Sequence, residues 1–181
     1  DLSPLSEQID SLSASVTGFA GAVYFAVRNP AHELAVRDFL IQQTGKAVTC
    51  SHELSANLNG PKRALTTVLN ARLVPMITRL IAVTTRTLQD ARIGAPLMVV
   101  RGDGALVSAD FATRRPIETI LSGPAASLVG AHYLTGADNA FVCDIGGTTS
   151  DVAVLEGGKP KLDEQGALVG GFRTMVEAVA M

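Results

Sequence analysis

The chain has 181 residues, 47% of them hydrophobic and 18% charged, with a formal net charge of −2 and a pI near 5.9. That supply of apolar residues suits a packed core in one domain or two small lobes and excludes a disordered chain. The slight acidity and the lack of a basic stripe argue against a nucleic-acid binder. No apolar stretch is long enough to be read as a membrane span or a signal peptide. Cys50 and Cys143 each sit in an apolar run without a second Cys or a His at metal-ligand spacing. They are expected to be buried free thiols in a reducing cytoplasm. The first residues, DLSPLSEQID, and the last, GGFRTMVEAVAM, read as the interior of a longer chain.

In chain order, residues 4–17 suit a short helix, and AGAVYFAV (20–27) a buried strand of the parallel-sheet kind. A helix follows, with Asn29 as N-cap, Pro30 at its first position and Gly45 just past its end. Leu34, Phe39 and Leu40 supply its apolar face. KAVTCS (46–51) is a second strand, which completes a βαβ unit with a right-handed crossover. Leu65, Leu69, Leu73, Ile77, Leu80, Leu88 and Ala91 recur at helical spacing over 61–93, with a kink expected at Pro75 and an end at Gly94 and Pro96.

PLMVV (96–100) is expected as a strand, RGDG (101–104) as a turn and ALVS as its return. Arg101-Gly102-Asp103 invites an integrin-ligand reading, but a chance turn is the simpler account. SGPAASLVGAHYLTG (122–136) is a small-residue helix, with Ser122 or Gly123 as cap and Pro124 at its first helical position. NAFVCD (139–144) is a strand, and DVAVLEGGKPKL (151–162) a second one with a Gly-Gly turn.

Between those two strands stands DIGGTTSD, residues 144–151. Gly146 and Gly147 let the backbone turn tightly and offer N–H groups to an anion, while Thr148, Thr149 and Ser150 add hydroxyls. Asp144 and Asp151 supply the oxygen ligands that Mg²⁺ prefers. The stretch therefore suits a nucleotide phosphate with its metal, and a polar hairpin turn is the plain alternative. It is not a Walker A loop, since it has no Lys and leads into a strand; nor does it carry a Rossmann fingerprint. Elsewhere, His32, His52 and His132 are scattered and read as structural. Ser122 lacks the surroundings of a nucleophile. Asp103 and Asp110 are weaker candidates for approach to the phosphate loop, and Arg114 and Arg115 are expected in solvent.

A small-residue helix, a strand and then Asp-x-Gly-Gly-Thr with a second Asp seven residues after the first resembles the actin-like ATPases. Within that superfamily, NPAHELAVRDFL, SHEL, TTVLNARLVPMI, SGPAASLVGA and DIGGTTSDVAVLEGGKP come in the order seen in the hydantoinase A / 5-oxoprolinase family. The resemblance covers residues 20–175. It implies an α/β, ribonuclease H-like fold, with residues 1–137 completing the first lobe through its interlobe helix and 138–181 opening the second.

The resemblance also implies ATP and Mg²⁺ as cofactors and activation of an amide carbonyl by phosphorylation. The substrate would be a small cyclic amide such as a hydantoin or 5-oxoproline, with a partner subunit of the hydantoinase B type. Asp144 and Asp151 would be catalytic and metal-holding, and Gly146, Gly147, Thr148 and Thr149 would bind the nucleotide. A carboxylase-like ATP-dependent subunit and a non-catalytic ATP-binding module are the alternatives. The loop departs from the family's usual Asp-Met-Gly-Gly-Thr-Ser-Thr-Asp through Ile145 and its hydroxyl order, and Ser127 stands where Gly is common. Arg101-Gly102-Asp103-Gly104-Ala105 replaces a usual Gln-Ser-Asn-Gly-Gly, so no substrate role is assigned to that turn. The family's first phosphate loop and its adenosine segment are absent from these residues.

Overall fold

A computed structural model describes residues 3–181. It contains two compact units, Asp1–Val83 and Thr84–Met181.

In the first unit, α1 (Ser3–Ser13) precedes β1 (Gly18–Gly21), α2 (Ala31–Thr44) and β2 (Ala47–Cys50). β1 and β2 pair in parallel, from Gly18 opposite Ala47 to Gly21 opposite Cys50, so the expected βαβ unit forms. The first strand is shorter and earlier than its apolar run implies. Residues 22–29 turn instead, and Tyr24 and Phe25 meet edge to face with more than half of each exposed. The strand rule fails here because a buried carboxylate and a buried guanidinium take the backbone groups of this segment, as described below. Asn29 Oδ1 accepts from the N–H of Ala31 at 3.1 Å, as a capping side chain does, but the helix begins one residue later than expected, with Pro30 at the cap position. Gly45 ends α2 in the left-handed region, its N–H donating to the Ile41 carbonyl at 2.9 Å.

α3 (Gly60–Asp90) runs unbroken through Pro75. Its buried face is not the leucine stripe. Arg63, Thr66, Thr67 and Asn70 are fully buried, at the i, i+3, i+4, i+7 spacing of one helix face, while Leu80 is 59% exposed. The threonines spend their hydroxyls on carbonyls one turn back, Thr66 on Lys62 and Thr67 on Arg63, a bond that makes a hydroxyl tolerable in a helix interior. Asn70 donates to Thr49 Oγ1 of β2 at 3.3 Å.

By length and composition alone, α3 is long and apolar enough to cross a membrane. The sequence reading missed this because Arg72, Arg79 and Arg86 interrupt the apolar run. Seven residues apart, all three are exposed on one helix face. Each would cost about 3 kcal/mol at a bilayer centre.

In the second unit, β3 (Met98–Val100) and β4 (Leu106–Ser108) form an antiparallel pair, followed by α4 (Ala109–Arg114). Ser108 caps α4, its hydroxyl accepting from the Phe111 N–H at 3.2 Å. The Arg101–Gly104 turn between the strands is tied down. Gly102 is buried, donates to the Glu118 carbonyl and accepts from the Val179 N–H, each at 2.8 Å. A Cβ at Gly102 would stand 2.2 Å from the Ile120 carbonyl oxygen, so only glycine fits. Arg101 pairs with Asp103 at 2.9 Å and with the buried Glu118 at 3.3 Å. An integrin-type ligand needs these side chains free, and here they hold one another.

α5 (Ser122–Thr135) begins after Leu121 in the left-handed region rather than from a Ser or Gly cap, which makes Pro124 its third residue and not its first. It packs on an antiparallel sheet of β5 (Ala140–Ile145), β6 (Ser150–Glu156) and β7 (Lys159–Pro160). Ala125, Leu128, Ala153, Leu155 and Val179 form the core there. The Gly157–Gly158 turn between β6 and β7 has φ of 58° and 75°, as a two-residue hairpin requires. Two short strands, β8 (Leu168–Val169) and β9 (Phe172–Arg173), complete the unit.

Candidate functional site: an open hairpin and a buried Glu–His cluster

Strand parity positions the expected phosphate loop. In β6, Asp151, Ala153 and Leu155 share a face; across the ladder they meet Asp144, Val142 and Ala140 of β5. The apolar end of that face is the one α5 covers. Asp144 and Asp151 extend it at the open end, directly opposite each other. The Ser127 hydroxyl on α5 donates to Asp144 Oδ2 at 2.6 Å and fixes that carboxylate. Ser127 is the one residue of this site to which sequence reasoning gave no role. Its signal was a hydroxyl on a small-residue helix just before the loop.

The same parity puts Phe141, Cys143 and Ile145 on the outer face, with Phe141 82% and Ile145 77% exposed. Cys143 is therefore an exposed free thiol, not the buried one expected, while Cys50 is fully buried.

At the hairpin tip the Gly146 N–H donates to the Thr149 carbonyl at 2.9 Å and closes the turn, so it is not free for an anion. Among the described residues, no hydrogen bond uses the N–H of Gly147, Thr148 or Thr149, or the hydroxyl of Thr148, Thr149 or Ser150. Neither glycine has a positive φ, and a Cβ on Gly147 would meet nothing within 4 Å. The tip is thus a row of unspent donors facing open space beside two opposed carboxylates. That donor set fits an anion together with a hard cation, since like charges directly opposite each other are otherwise unfavourable. Of the weaker candidates, Asp103 is paired with Arg101 and Asp110 with Arg114, at 2.9 Å each. Arg114 is exposed as expected, but Arg115 lies over the Phe111 ring and reaches the buried Glu118 at 2.7 Å.

The first unit holds a second polar cluster, which the sequence reading missed. Glu33 in the first turn of α2 is 2% exposed. Its Oε1 accepts from the Val23 N–H at 2.7 Å and from Ser51 Oγ at 2.5 Å. Its Oε2 accepts from the His52 N–H at 3.1 Å and lies 2.6 Å from His52 Nδ1. Burial opposes the charge on Glu33, but the bonds from Ser51, His52 and Val23 outweigh it and hold the pKa below the usual carboxylate value. Arg63 is fully buried; it donates to Ser51 Oγ at 2.9 Å, to the Asn57 carbonyl at 3.1 Å and to the Val23 and Tyr24 carbonyls at 2.5 and 2.8 Å. Cys50, His52 and Glu33 come within 4.8 Å of one another. Cys50 and His52 are two apart in sequence, but Glu33 comes from another element, which is why no metal spacing was visible.

The family model for hydantoinase/oxoprolinase matches residues 63–181. The chain belongs to this family. The match takes in α5, the hairpin and Arg63, and it begins after Glu33 and His52. Among relatives in the family, the caprolactamase subunit alpha of Pseudomonas jessenii is 28% identical over 148 residues, 80% of this chain and 21% of that protein. The acetone carboxylase beta subunit of Xanthobacter autotrophicus is 25% identical over 158 residues, 83% of this chain and 22% of that protein. The crystal structure of the ATP-dependent caprolactamase from Pseudomonas jessenii superposes with a TM-score of 0.83 at 25% identity, covering 99% of this chain and 27% of that one. The chain thus spans about a fifth of the length of these curated relatives.

Proposed function

We propose that these residues carry the second of two phosphate loops in an ATP-dependent enzyme of the hydantoinase/oxoprolinase family, one that activates a cyclic amide carbonyl by phosphorylation. The observation that carries the reading is the hairpin tip: free N–H and hydroxyl donors over Gly147–Ser150, next to the opposed Asp144 and Asp151. The likeness to a caprolactamase supports an amide as substrate class, and the ATP-dependence of that enzyme supports ATP. The same reading takes the fold as ribonuclease H-like, with residues 1–137 ending the first lobe and 138–181 opening the second, in a cytoplasmic protein. A partner subunit of the hydantoinase B type accords with relatives that are themselves named as subunits.

In this reading the donors of Thr148 and Thr149 and the Gly147 N–H bind the phosphoryl oxygens. Positioning and charge stabilisation there supply most of the catalysis. Ser127 holds Asp144 in place. Asp144 and Asp151 would hold Mg²⁺, which neutralises charge on the phosphates.

The test is Asp144→Ala in the full-length protein, assayed for ATP-dependent opening of 5-oxoproline, hydantoin and caprolactam. Turnover falls by a factor on the order of 10²–10³; unchanged turnover refutes the assignment. The 181 residues alone turn over no ATP, because they hold one phosphate loop and no adenosine segment; ATP hydrolysis by them would overturn that part. The likeness to an acetone carboxylase beta subunit supports a second reading, a carbonyl-activating carboxylase subunit. ATP consumption that requires bicarbonate and a ketone would favour it.

A further inference from the structure

The Glu33 cluster lies at the edge where open α/β sheets take their ligands. β1 and β2 run parallel, and Glu33, Ser51 and His52 all follow their carboxyl ends. Ligands of such sheets settle outside that edge. Here a carboxylate with no exposed surface devotes one oxygen to a single histidine, taking both its backbone N–H and its ring Nδ1. Arg63 answers the carboxylate's charge through Ser51. With Glu33 ionised, Nδ1 carries the proton in this bond, and whenever the ring is neutral its lone pair is on Nε2. The His52 side chain is 18% exposed, and among the described residues no hydrogen bond reaches Nε2. A carboxylate that fixes one imidazole nitrogen and leaves the other open is the arrangement of a held base.

We propose that His52 is a proton acceptor acting through Nε2 on a small ligand at the carboxyl edge of β1 and β2, with Glu33 as its positioning residue. The ligand class rests on the amide-opening reading above: it is the water that enters that step. The proton passes from the water O–H to Nε2, and the oxygen keeps the bonding pair. The imidazolium is balanced by Glu33, and the proton leaves later to solvent.

A metal at Glu33, Cys50 and His52 is the rival. Glu33 already accepts four hydrogen bonds, so a metal would have to displace at least one of them, and it would need a thiolate from Cys50, whose pKa burial pushes up to about 11 with help from Glu53 and Glu33. The titratable groups beside the ring are Glu33 of α2 and Cys50 of β2, each with a ligand atom within 4.8 Å of a ring nitrogen, and Arg63 of α3 reaches Glu33 through Ser51.

Asparagine places an amide N–H where Nδ1 stands, so His52→Asn keeps the bond to Glu33 and deletes Nε2. In the full-length protein this variant should melt with the wild type, lose kcat by about 10²–10⁴-fold with little change in KM, and lose the acid limb of the kcat/KM profile. Glu33→Gln should lower kcat less and shift that limb. Wild-type kcat in His52→Asn overturns the proposal and leaves the pair a structural clamp.

A second measurement does not depend on turnover. Long-range ¹H–¹⁵N spectra of the 181 residues should show His52 protonated at Nδ1 and bare at Nε2, and diethyl pyrocarbonate should modify it. A ring protonated at Nε2, an unreactive His52, or zinc retained through chelation overturns the proposal. If the wild type opens no amide, the amide reading fails and this measurement alone decides His52.

Discussion

Glu33 and Arg63 stand buried, their charges met inside the protein by Val23 and Tyr24, by Ser51 and His52, and by the Asn57 carbonyl. Asp144, Asp151 and the hairpin tip do the opposite: donors over 147–150 face solvent, and two like charges sit across from each other on adjacent strands. The first arrangement is affordable only when complete, since a buried charge that loses its partner costs several kcal/mol. The second is incomplete by itself and contributes little to folding. The contrast teaches where substitution should damage the fold and where it should damage binding.

The largest expected effect is on the buried side. Arg63→Met leaves the Val23 and Tyr24 carbonyls and Ser51 without their donor and Glu33 without its compensating charge. Urea unfolding should show a loss of about 3–5 kcal/mol; a loss under about 1 kcal/mol would mean the cluster is not the clamp described.

Acid should act on the same cluster. The Glu33 pKa is lowered in the folded state, so its stabilisation is present above the unfolded value, about 4.3, and is lost as pH falls through the folded value. The thermal unfolding midpoint should drop below that pH, and Glu33→Gln should flatten the dependence. A variant as acid-sensitive as the wild type would place the effect elsewhere.

On the exposed side the expected stability changes are small. Asp144→Asn removes the like-charge opposition to Asp151 and keeps an acceptor for Ser127, so stability should rise by about 0.2–1 kcal/mol. Calorimetric titration of the full-length protein with ATP should meanwhile show weakened binding. Destabilisation would mean that the carboxylate contributes to the fold. The smallest shift is for Gly147→Ala, within about 0.5 kcal/mol, because the backbone there is ordinary and the space open. Its added methyl should still hinder ATP at the tip, and unaltered ATP affinity would argue against close approach of phosphate to Gly147.

Much of the hairpin was legible because its signals are local. Period-two alternation, a Gly-Gly turn and a run of Gly and Thr each act over a few residues, and the observed strands lie within one residue of DIGGTTSD's expected flanks. Gly45 could likewise be read as a helix end, since a left-handed cap is a property of one residue. The leucine stripe of α3 misled, because periodicity states that a face exists and not which face is covered. Arg63, Thr66, Thr67 and Asn70 are buried there through partners on β2, on the 22–29 segment and within the helix itself. Cys143 misled in the same way: an apolar strand has two faces, and only the packing of α5 selects one.

By itself, then, the sequence determined the family, the strand–helix–strand order of the first unit and the two-strand loop with its carboxylates, all of which are carried by local patterns and motifs. Only the tertiary structure decided that Ser127 orients Asp144 and that Glu33, Ser51, His52 and Arg63 form one network. Those contacts join residues 17, 12, 18, 19 and 40 positions apart, and no local propensity encodes a hydrogen bond that exists only once two packed elements bring its ends together.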